Sequence, residues 1–376
     1  MNYCTLYSPE FLSRPTAGRF ISGNLEFIPG ISTVVDHCNG LLLIAETKAD
    51  YVANPATRRW ARPPPCPMMP RRTEDAIKCL VYDPTMSPHY EVFLIPSLPD
   101  RNPNPDMARS KWPPSSYALQ ERSFLLEGEH PEEVRYGWRV INKIHWRGAL
   151  YVRCRIGLVL RISMSNAKCR WVPRPPGVEV GQYGSLGTSE KGVCCAFQHD
   201  WQVLRIFHLD ESSGQVGWEL KHTVDFTSFA RKLHERDYSE QLSNIKGPWI
   251  LQDINYYKYP YGNDKHKEAV EDDFEWNSDD DDVLNAENMV EGSYKGYTSF
   301  LGFHPYKEIV FLNAALSRAV AYHWNASKFQ DLGNIYPKDY LESALHCAQI
   351  ETSFIYTPCW MEDFPENNLE YARIED

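Results

Sequence analysis

The chain has 376 residues, a net charge of −11 and a hydrophobic fraction of 43%, so it is long enough to bury a sizeable core. Aromatic residues make up 13% of it, and this enrichment favours half-buried pleated surfaces over helix bundles. No apolar run reaches the roughly 20 residues of a membrane helix, and the N-terminus shows no secretory signal. We therefore expect a soluble protein of the cytoplasm or nucleus without a membrane partner.

The charge and the cysteines exclude further classes. Twelve acidic residues lie between Asp264 and Glu291 against Lys265 and Lys267, so the rest of the chain is almost neutral. This distribution argues against a nucleic-acid partner. The ten cysteines are scattered without CxxC pairs, which predicts buried free thiols rather than disulfides or a metal site.

The first predicted elements form a lead-in hairpin within residues 1–35. It is followed by a unit over residues 36–65 that organises the rest of the chain. Its features are an apolar strand after Asn39-Gly40, a second strand at 51–53, a turn, and an isolated Trp60. This order is typical of consecutive antiparallel strands joined by hairpins. A pair of strands at 79–82 and 90–95 comes next, and residues 96–116 carry no pattern.

The unit recurs at residues 146–173, 192–220 and 301–329, each time as two strands, a turn and an aromatic strand. Gly40 and Val52 are 12 residues apart, as are Gly148 and Leu160, so we expect the same register in both units. The spacings from Gly40 to Gly148 and from Gly148 to Gly302 are 108 and 154 residues. They are close to multiples of about 50, the period of kelch-type blades.

These repeats predict an all-β fold, a kelch-like β-propeller of about six to eight irregular blades. The predicted propeller spans residues 36–361 and is followed by a tail over 362–376. A two-domain β-sandwich is the structural alternative. A short helix is predicted around Phe226, Phe229, Ala230 and Leu233, with a second candidate at 338–350. Residues 262–296 are predicted to be a long acidic insertion.

No motif for catalysis, for a metal or for a cofactor stands out. Phosphate-binding glycine loops, HExxH and GxSxG are all missing from the sequence, and the histidines are dispersed. We therefore expect no enzyme activity, no cofactor and no metal.

Two stretches are candidate partner-binding sites. The first carries a local positive charge around a proline cluster, from Arg58, Arg59, Arg62, Arg71 and Arg72. It suits an acidic or phosphorylated segment, and the alternatives are a solvated connector and a loop that faces the chain's own acidic insertion. The second is the acidic run, with Trp276, Asp279, Asp280, Asp281 and Asp282. It suits a basic partner, and a solvated loop is the alternative.

A set of phrases in chain order resembles one known family. These phrases are CNGLLL, YVANPATRRWARPPP, YDPTMSPHYEVFLIP, KWPPSSY, WRGALYV, GPWILQDINY and FEWNSDDDDVLN. Together they resemble the C-terminal, F-box-associated region of plant F-box proteins, from about Phe11 to Met361. The resemblance implies a kelch-like propeller that recruits a protein substrate to a cullin-based (SCF-type) ubiquitin ligase and has no catalytic site.

The sequence departs from this family at two places. No helical F-box precedes Phe11, so binding of the ligase adaptor and the cullin is expected only if an F-box exists upstream. Around 115–124 a strand and a Trp-bearing strand are expected but not visible, which predicts one incomplete blade. The other functions left open are a propeller-fold enzyme or carbohydrate-binding protein, and a degenerate gene product.

Overall fold

The computed structural model describes residues 11–13, 33–45, 49–63, 76–96, 115–117, 121–123, 125–128, 140–199, 202–212, 216–226, 250–252, 283–284, 298–314, 318–335 and 353–361, with some single positions between 21 and 29 and at 131 and 229. Within these residues the fold is all-β, as predicted. The regular elements are 24 strands, and Phe229 is the one described residue in helical conformation.

The first half of the chain forms a single strand and two four-stranded sheets. The single strand is β1 (Phe11–Ser13). Sheet 1 contains β2 (Thr33–Cys38), β3 (Leu41–Ala45), β4 (Asp50–Asn54) and β5 (Arg59–Ala61). Sheet 2 contains β6 (Ala76–Val81), β7 (Glu91–Pro96), β8 (Ser115–Tyr117) and β9 (Glu121–Ser123). In both sheets, consecutive strands pair antiparallel.

Three further sheets each have four consecutive antiparallel strands. In sheets 3 and 5 a short additional strand, named first below, pairs with the outer strand, parallel in sheet 3 and antiparallel in sheet 5. Sheet 3 contains β10 (Leu125–Leu126), β11 (Val140–Trp146), β12 (Ala149–Cys154), β13 (Val159–Ser163) and β14 (Lys168–Val172). Sheet 4 contains β15 (Gly184–Ser189), β16 (Gly192–His199), β17 (Val203–Asp210) and β18 (Gly217–Asp225). After β19 (Ile250–Gln252), sheet 5 contains β20 (Val283–Leu284), β21 (Thr298–Phe303), β22 (Ile309–Ala314), β23 (Arg318–His323) and β24 (Lys328–Asn334).

The sheets form a propeller-like arrangement because their first strands lie side by side. In order, β2 contacts β6, β6 contacts β11, β11 contacts β15 and β15 contacts β21. An apolar layer fills each space between neighbouring sheets. Leu43 and Leu80 meet between sheets 1 and 2, and Phe93 and Leu160 meet between sheets 2 and 3. The core is therefore divided among the interfaces between blade-like sheets.

Two sharp turns lead directly into the second antiparallel strands of sheets 1 and 3. Asn39 and Gly40 have φ values of 44° and 85°, and Arg147 and Gly148 have 43° and 73°. Two consecutive residues with positive φ are the requirement of a two-residue type I′ hairpin. These turns close the β2–β3 and β11–β12 hairpins, of which the sequence pattern predicted the second strand but not the first.

The predicted register match between the repeats is wrong by one residue. Leu43 pairs with Val52 in sheet 1, whereas the position corresponding to Leu43 in sheet 3, Tyr151, pairs with Arg161. The cause is the connection between the second and third strands, which is one residue longer in sheet 3. Gly302 lies inside β21 rather than in a hairpin turn, so the 154-residue spacing does not measure blades.

Three other predictions need correction. Strands β8 and β9 complete sheet 2, so the expected incomplete blade at 115–124 has its four strands. The predicted acidic insertion, 262–296, contains β20, which pairs with Phe329 and Gln330 of β24. Within the lead-in region 1–35, β1 pairs with the distant β19, and Ile28 N–H donates to Leu25 O in a turn.

The predicted helices lie mostly outside the described residues. Phe226 and Phe229 are buried, and the Phe229 ring stacks on Phe329 with centroids 4.2 Å apart. Their helical spacing therefore reflects packing against sheet 5. The second candidate helix, 338–350, lies entirely outside the described residues.

Candidate functional site: the ring axis and the rim loop

Three of the first strands carry a bulge at the same place. Val35 in β2, Ile141 in β11 and Leu301 in β21 are each skipped by the ladder to the second strand. A bulge re-aims the side chains around it. The residues that follow the bulges, Asp36, Asn142 and Gly302, are therefore at equivalent positions.

The side chains after the first two bulges bind the next first strand in the ring. Leu80 N–H donates to Asp36 Oδ2 at 2.6 Å, and Leu186 N–H donates to Asn142 Oδ1 at 3.2 Å. Asn142 Nδ2 also donates to Leu186 O at 2.9 Å. The bonded backbone groups lie on the inner edge of a sheet, where no further strand pairs with them, so the side chains satisfy them instead.

Lys143 connects two first strands that are not neighbours in the ring. Its ammonium group lies 3.3 Å from Asp36 Oδ1 and donates to Val35 O at 3.2 Å. Burial acts to lower the pKa of Lys143, but the charge of Asp36, the neighbouring Cys79 and the hydrogen bond to Asp36 together raise it. Lys143 is therefore a cation held by Asp36, and the pair occupies the axis beside β6.

Residues 353–361, here called the closing segment, lie between sheets 5 and 1. Ser353 Oγ donates to Leu301 O at 2.9 Å, and Tyr356 Oη donates to Gly40 O at 3.2 Å. The fully buried Asn54 donates to Cys359 O at 2.9 Å, and the rings of His37 and Phe354 stack with centroids 3.9 Å apart. The segment thus joins the last sheet to the first.

Two glycines make room for the closing segment. A Cβ atom at Gly40 would lie 2.5 Å from Cys359 N and 2.6 Å from Thr357 O. A Cβ atom at Gly302 would lie 3.0 Å from Ile355 Cγ1. Ile355 therefore packs closely against Gly302, the position after the third bulge.

The predicted arginine site lies at the outer strand of sheet 1. The exposed Arg58 has its guanidinium 5.3 Å from the centroid of the Phe27 ring. Arg62 lies 5.4 Å from the Tyr51 ring and donates to Tyr51 Oη at 3.1 Å. Arg59 is half-buried in β5. The remaining predicted site residues lie outside the described residues: Arg71, Arg72, Trp276, Asp279, Asp280, Asp281 and Asp282.

A second candidate surface is the connection between sheets 3 and 4, residues 173–184, here called the rim loop. Arg153 donates to Gln182 O at 3.0 Å and to Gly184 O at 2.9 Å. Arg174 donates to Ile156 O and Arg205 to Gly177 O, each at 3.3 Å. Arginine bonds to carbonyl groups therefore fix this loop onto both sheets.

The rim loop presents apolar side chains to solvent. Val180 is 60% exposed and Tyr183 is 40% exposed, and Ile141 at the neighbouring bulge is 43% exposed. Tyr183 also stacks on Phe300, with ring centroids 5.5 Å apart. Rigidly held, exposed apolar residues are typical of the anchors of protein interfaces.

The sequence did not single out the rim loop or the axis. Loop residues are identified only after the sheets that flank them are known, and GQYGSLG gave no recognisable motif. The signal available was the alternation of Arg and Pro at 170–176, which differs from an ordinary solvated turn.

Two classes of site are not found among the described residues. No group of three or more His, Cys, Asp or Glu side chains is placed to hold a metal ion there. In the same part of the chain, no helix is both long and apolar enough to span a membrane.

Comparisons with known proteins give weak similarity. No family model matches the chain, and no curated protein matches it. A structure titled "Crystal Structure of Mitotic Checkpoint Complex" aligns with 87% of this chain and 69% of its own, at 11% identity and a TM-score of 0.36. "YCF48 bound to D1 peptide" aligns with 86% of both chains, at 11% identity and a TM-score of 0.35. Similarity at this level transfers no function.

Proposed function

We propose that this chain is a non-catalytic protein-binding module whose rim loop contacts the partner. The observation that carries the proposal is the exposure of Val180 and Tyr183 on a loop that three arginines hold in place. Binding costs less when the contact residues are already ordered, and aromatic residues in such positions dominate interface energies.

The ring is proposed to be a kelch-like propeller of about six units. Five sheets of four or five strands supply five of them within the described residues. The closing segment takes the sixth inner position, since Ile355 packs closely against Gly302, the position after the third bulge.

The resemblance to the F-box-associated region suggests which kind of protein the partner is. The partner would be a protein recruited as the substrate of an SCF-type ubiquitin ligase. Docking to the ligase adaptor and the cullin would require an F-box in addition to the residues printed here.

An enzyme or carbohydrate-binding propeller is the alternative from another class. It would require polar groups that face a ligand at the axis. The charged pair found there, Asp36 and Lys143, is bonded to itself and to the backbone of β2 and β6. This arrangement supports a structural role for the pair.

The proposal is tested by comparing the proteins that wild type and surface variants retain from an extract. The double variant Val180→Glu/Tyr183→Glu changes the rim loop, and Leu220→Glu changes an exposed apolar residue of β18 as the matched control. We expect a partner retained by wild type and by the control but not by the double variant, and the purified partner should bind with the same dependence. Equal retention by all three chains would contradict the proposal.

A further inference from the structure

We infer that the rim loop recognises an extended acidic segment of a partner protein, with an apolar residue as its anchor. The inference rests on the proposed function and specifies the partner's chemistry. Three observations carry it: the charge around the loop, a buried arginine beneath it, and the apolar residues that it exposes.

The surroundings of the rim loop are basic although the whole chain is acidic. Arg155 is exposed at the connection between β12 and β13, and Arg174 within the loop and Arg205 on β17 are half-buried. Among the described residues, the acids on the adjoining segments are Glu179 on the loop and Asp225 at the end of β18. Positive potential on an otherwise negative protein directs an acidic partner to this place.

Arg153 adds a buried positive charge beneath the loop. It is 2% exposed, its guanidinium lies 4.9 Å from the Phe197 ring centroid, and its Nε has no hydrogen-bond partner. No carboxylate among the described residues forms an ion pair with it. A buried charge without a counter-ion is costly, and a bound anion above it would reduce that cost.

A second buried polar group lies at the same rim. Gln198 is 4% exposed, and neither its Oε1 nor its Nε2 has a partner. Its backbone N–H donates to Tyr183 O, and Gln182 Nε2 donates to its carbonyl group, so it lies directly under the loop. Orphaned polar groups in a native interior indicate a ligand or a water at the site.

The exposed apolar residues favour a peptide over a nucleic acid. Val180 and Ile141 are aliphatic, and such side chains pair with apolar side chains rather than with stacked bases. Nucleic-acid binding also requires a row of phosphate contacts, whereas Arg155 is the exposed arginine of this rim among the described residues. RNA is therefore an outcome of the test and not the expected ligand.

The test is fluorescence anisotropy with a labelled peptide of Asp and Glu residues around one central Phe. We expect saturable binding to the full chain that weakens about tenfold in Arg155→Glu and in Tyr183→Ala, a loss of about 1.4 kcal/mol each. Leu220→Ala and the charge reversal Lys168→Glu on β14, which lie elsewhere, should leave the Kd unchanged. A Lys-based peptide and a poly-uridine RNA should not bind. Absent binding, an unchanged Kd in Arg155→Glu, or equal binding of RNA would overturn the inference.

The chain's own acidic run is an alternative ligand of the rim loop, because it is acidic like the proposed partner segment. A variant with Asp279, Asp280, Asp281 and Asp282 all changed to Asn decides between the two. An unchanged affinity for the probe supports a partner segment, whereas markedly tighter binding assigns the rim to the chain's own run and overturns the partner inference.

Failure of this inference is distinguishable from failure of the proposed function. If the acidic peptide does not bind but a protein partner is still lost in Val180→Glu/Tyr183→Glu, the partner's chemistry is wrong and the module stands. If neither the acidic peptide nor a protein partner binds, both the inference and the proposed function are wrong.

Discussion

The ammonium group of Lys143 lies 3.3 Å from the carboxylate of Asp36, although β6 comes between their two strands in the ring order. The exposed fractions of these side chains are 13% and 6%. The pair therefore ties sheet 1 to sheet 3 inside the ring and holds Val35 through the same ammonium group.

Removing one member of this pair should be strongly destabilising. Lys143→Met leaves the Asp36 carboxylate buried without its cation, and we expect a loss of about 3–5 kcal/mol in the free energy of unfolding. Urea unfolding followed by tryptophan fluorescence measures it. Lys168→Met, which removes the exposed pair with Glu127, is the control and should leave the free energy of unfolding almost unchanged. A similar small loss for both variants would show that the axial pair contributes little.

Stability should fall as the pH drops below about 6.5 because of His37. Burial and the nearby Lys143 lower the pKa of His37 from 6.5 to about 3. Between these values the unfolded chain binds a proton that the folded chain does not, so the stabilisation is complete above pH 6.5 and is lost towards pH 3.

The variant His37→Phe isolates this effect because it keeps a ring against Phe354. We expect its unfolding free energy to change less between pH 7 and 5 than that of wild type, by up to about 1.4 kcal/mol per pH unit. His145, His208, His222 and His304, whose pKa values burial also lowers, add to the slope in both chains. Identical slopes for the two chains would exclude His37.

Release of the closing segment should follow from the loss of one side chain. Asn54→Ala removes the donor to Cys359 O and leaves a buried carbonyl group unpaired, which costs about 1–3 kcal/mol. Hydrogen exchange in residues 353–361 should accelerate more than exchange in sheet 3. Asn166→Ala is the matched control. The side chains of Asn54 and Asn166 each accept a hydrogen bond from the backbone N–H two residues later, but of the two only Asn54 also binds the closing segment. Equal acceleration in both variants would contradict the closing role.

Trp60 should act as a packing residue. It is 3% exposed and meets Tyr51 edge-on, with ring centroids 5.2 Å apart. We expect Trp60→Ala to lower the free energy of unfolding by about 3–5 kcal/mol. Trp171 is half-buried, so Trp171→Ala should lower it by less. Chemical denaturation tests the order. A reversed order would contradict the packing role of Trp60.

The sequence revealed the second and third strands of the sheets better than the first ones. Leu41–Ala45 and Ala149–Cys154 follow hairpin turns and are continuous apolar runs, so they were predicted. The first strands escaped because bulges at Val35 and Ile141 interrupt the alternation on which strand prediction depends. Asp36 and Lys143 also read as surface residues, since charge in a sequence does not reveal a buried partner.

The candidate site was even less accessible from sequence. The closing segment makes its contacts with Gly40, Asn54 and Leu301, which are distant in the chain, and it joins no strand ladder. The arginines that hold the rim loop lie on β12, on the loop itself and on β17. Only the fold brings Arg153, Arg174 and Arg205 together around residues 173–184.

The central claim is that the rim loop is the protein-binding surface, and the affinity of a purified partner for Tyr183→Ala tests it most directly. The partner is the protein retained by wild type but not by the rim variant, and isothermal titration gives its Kd for each chain. We predict that Tyr183→Ala binds at least tenfold more weakly than wild type while Leu220→Ala binds equally well. Equal affinity of Tyr183→Ala and wild type, with both chains folded, would contradict the claim.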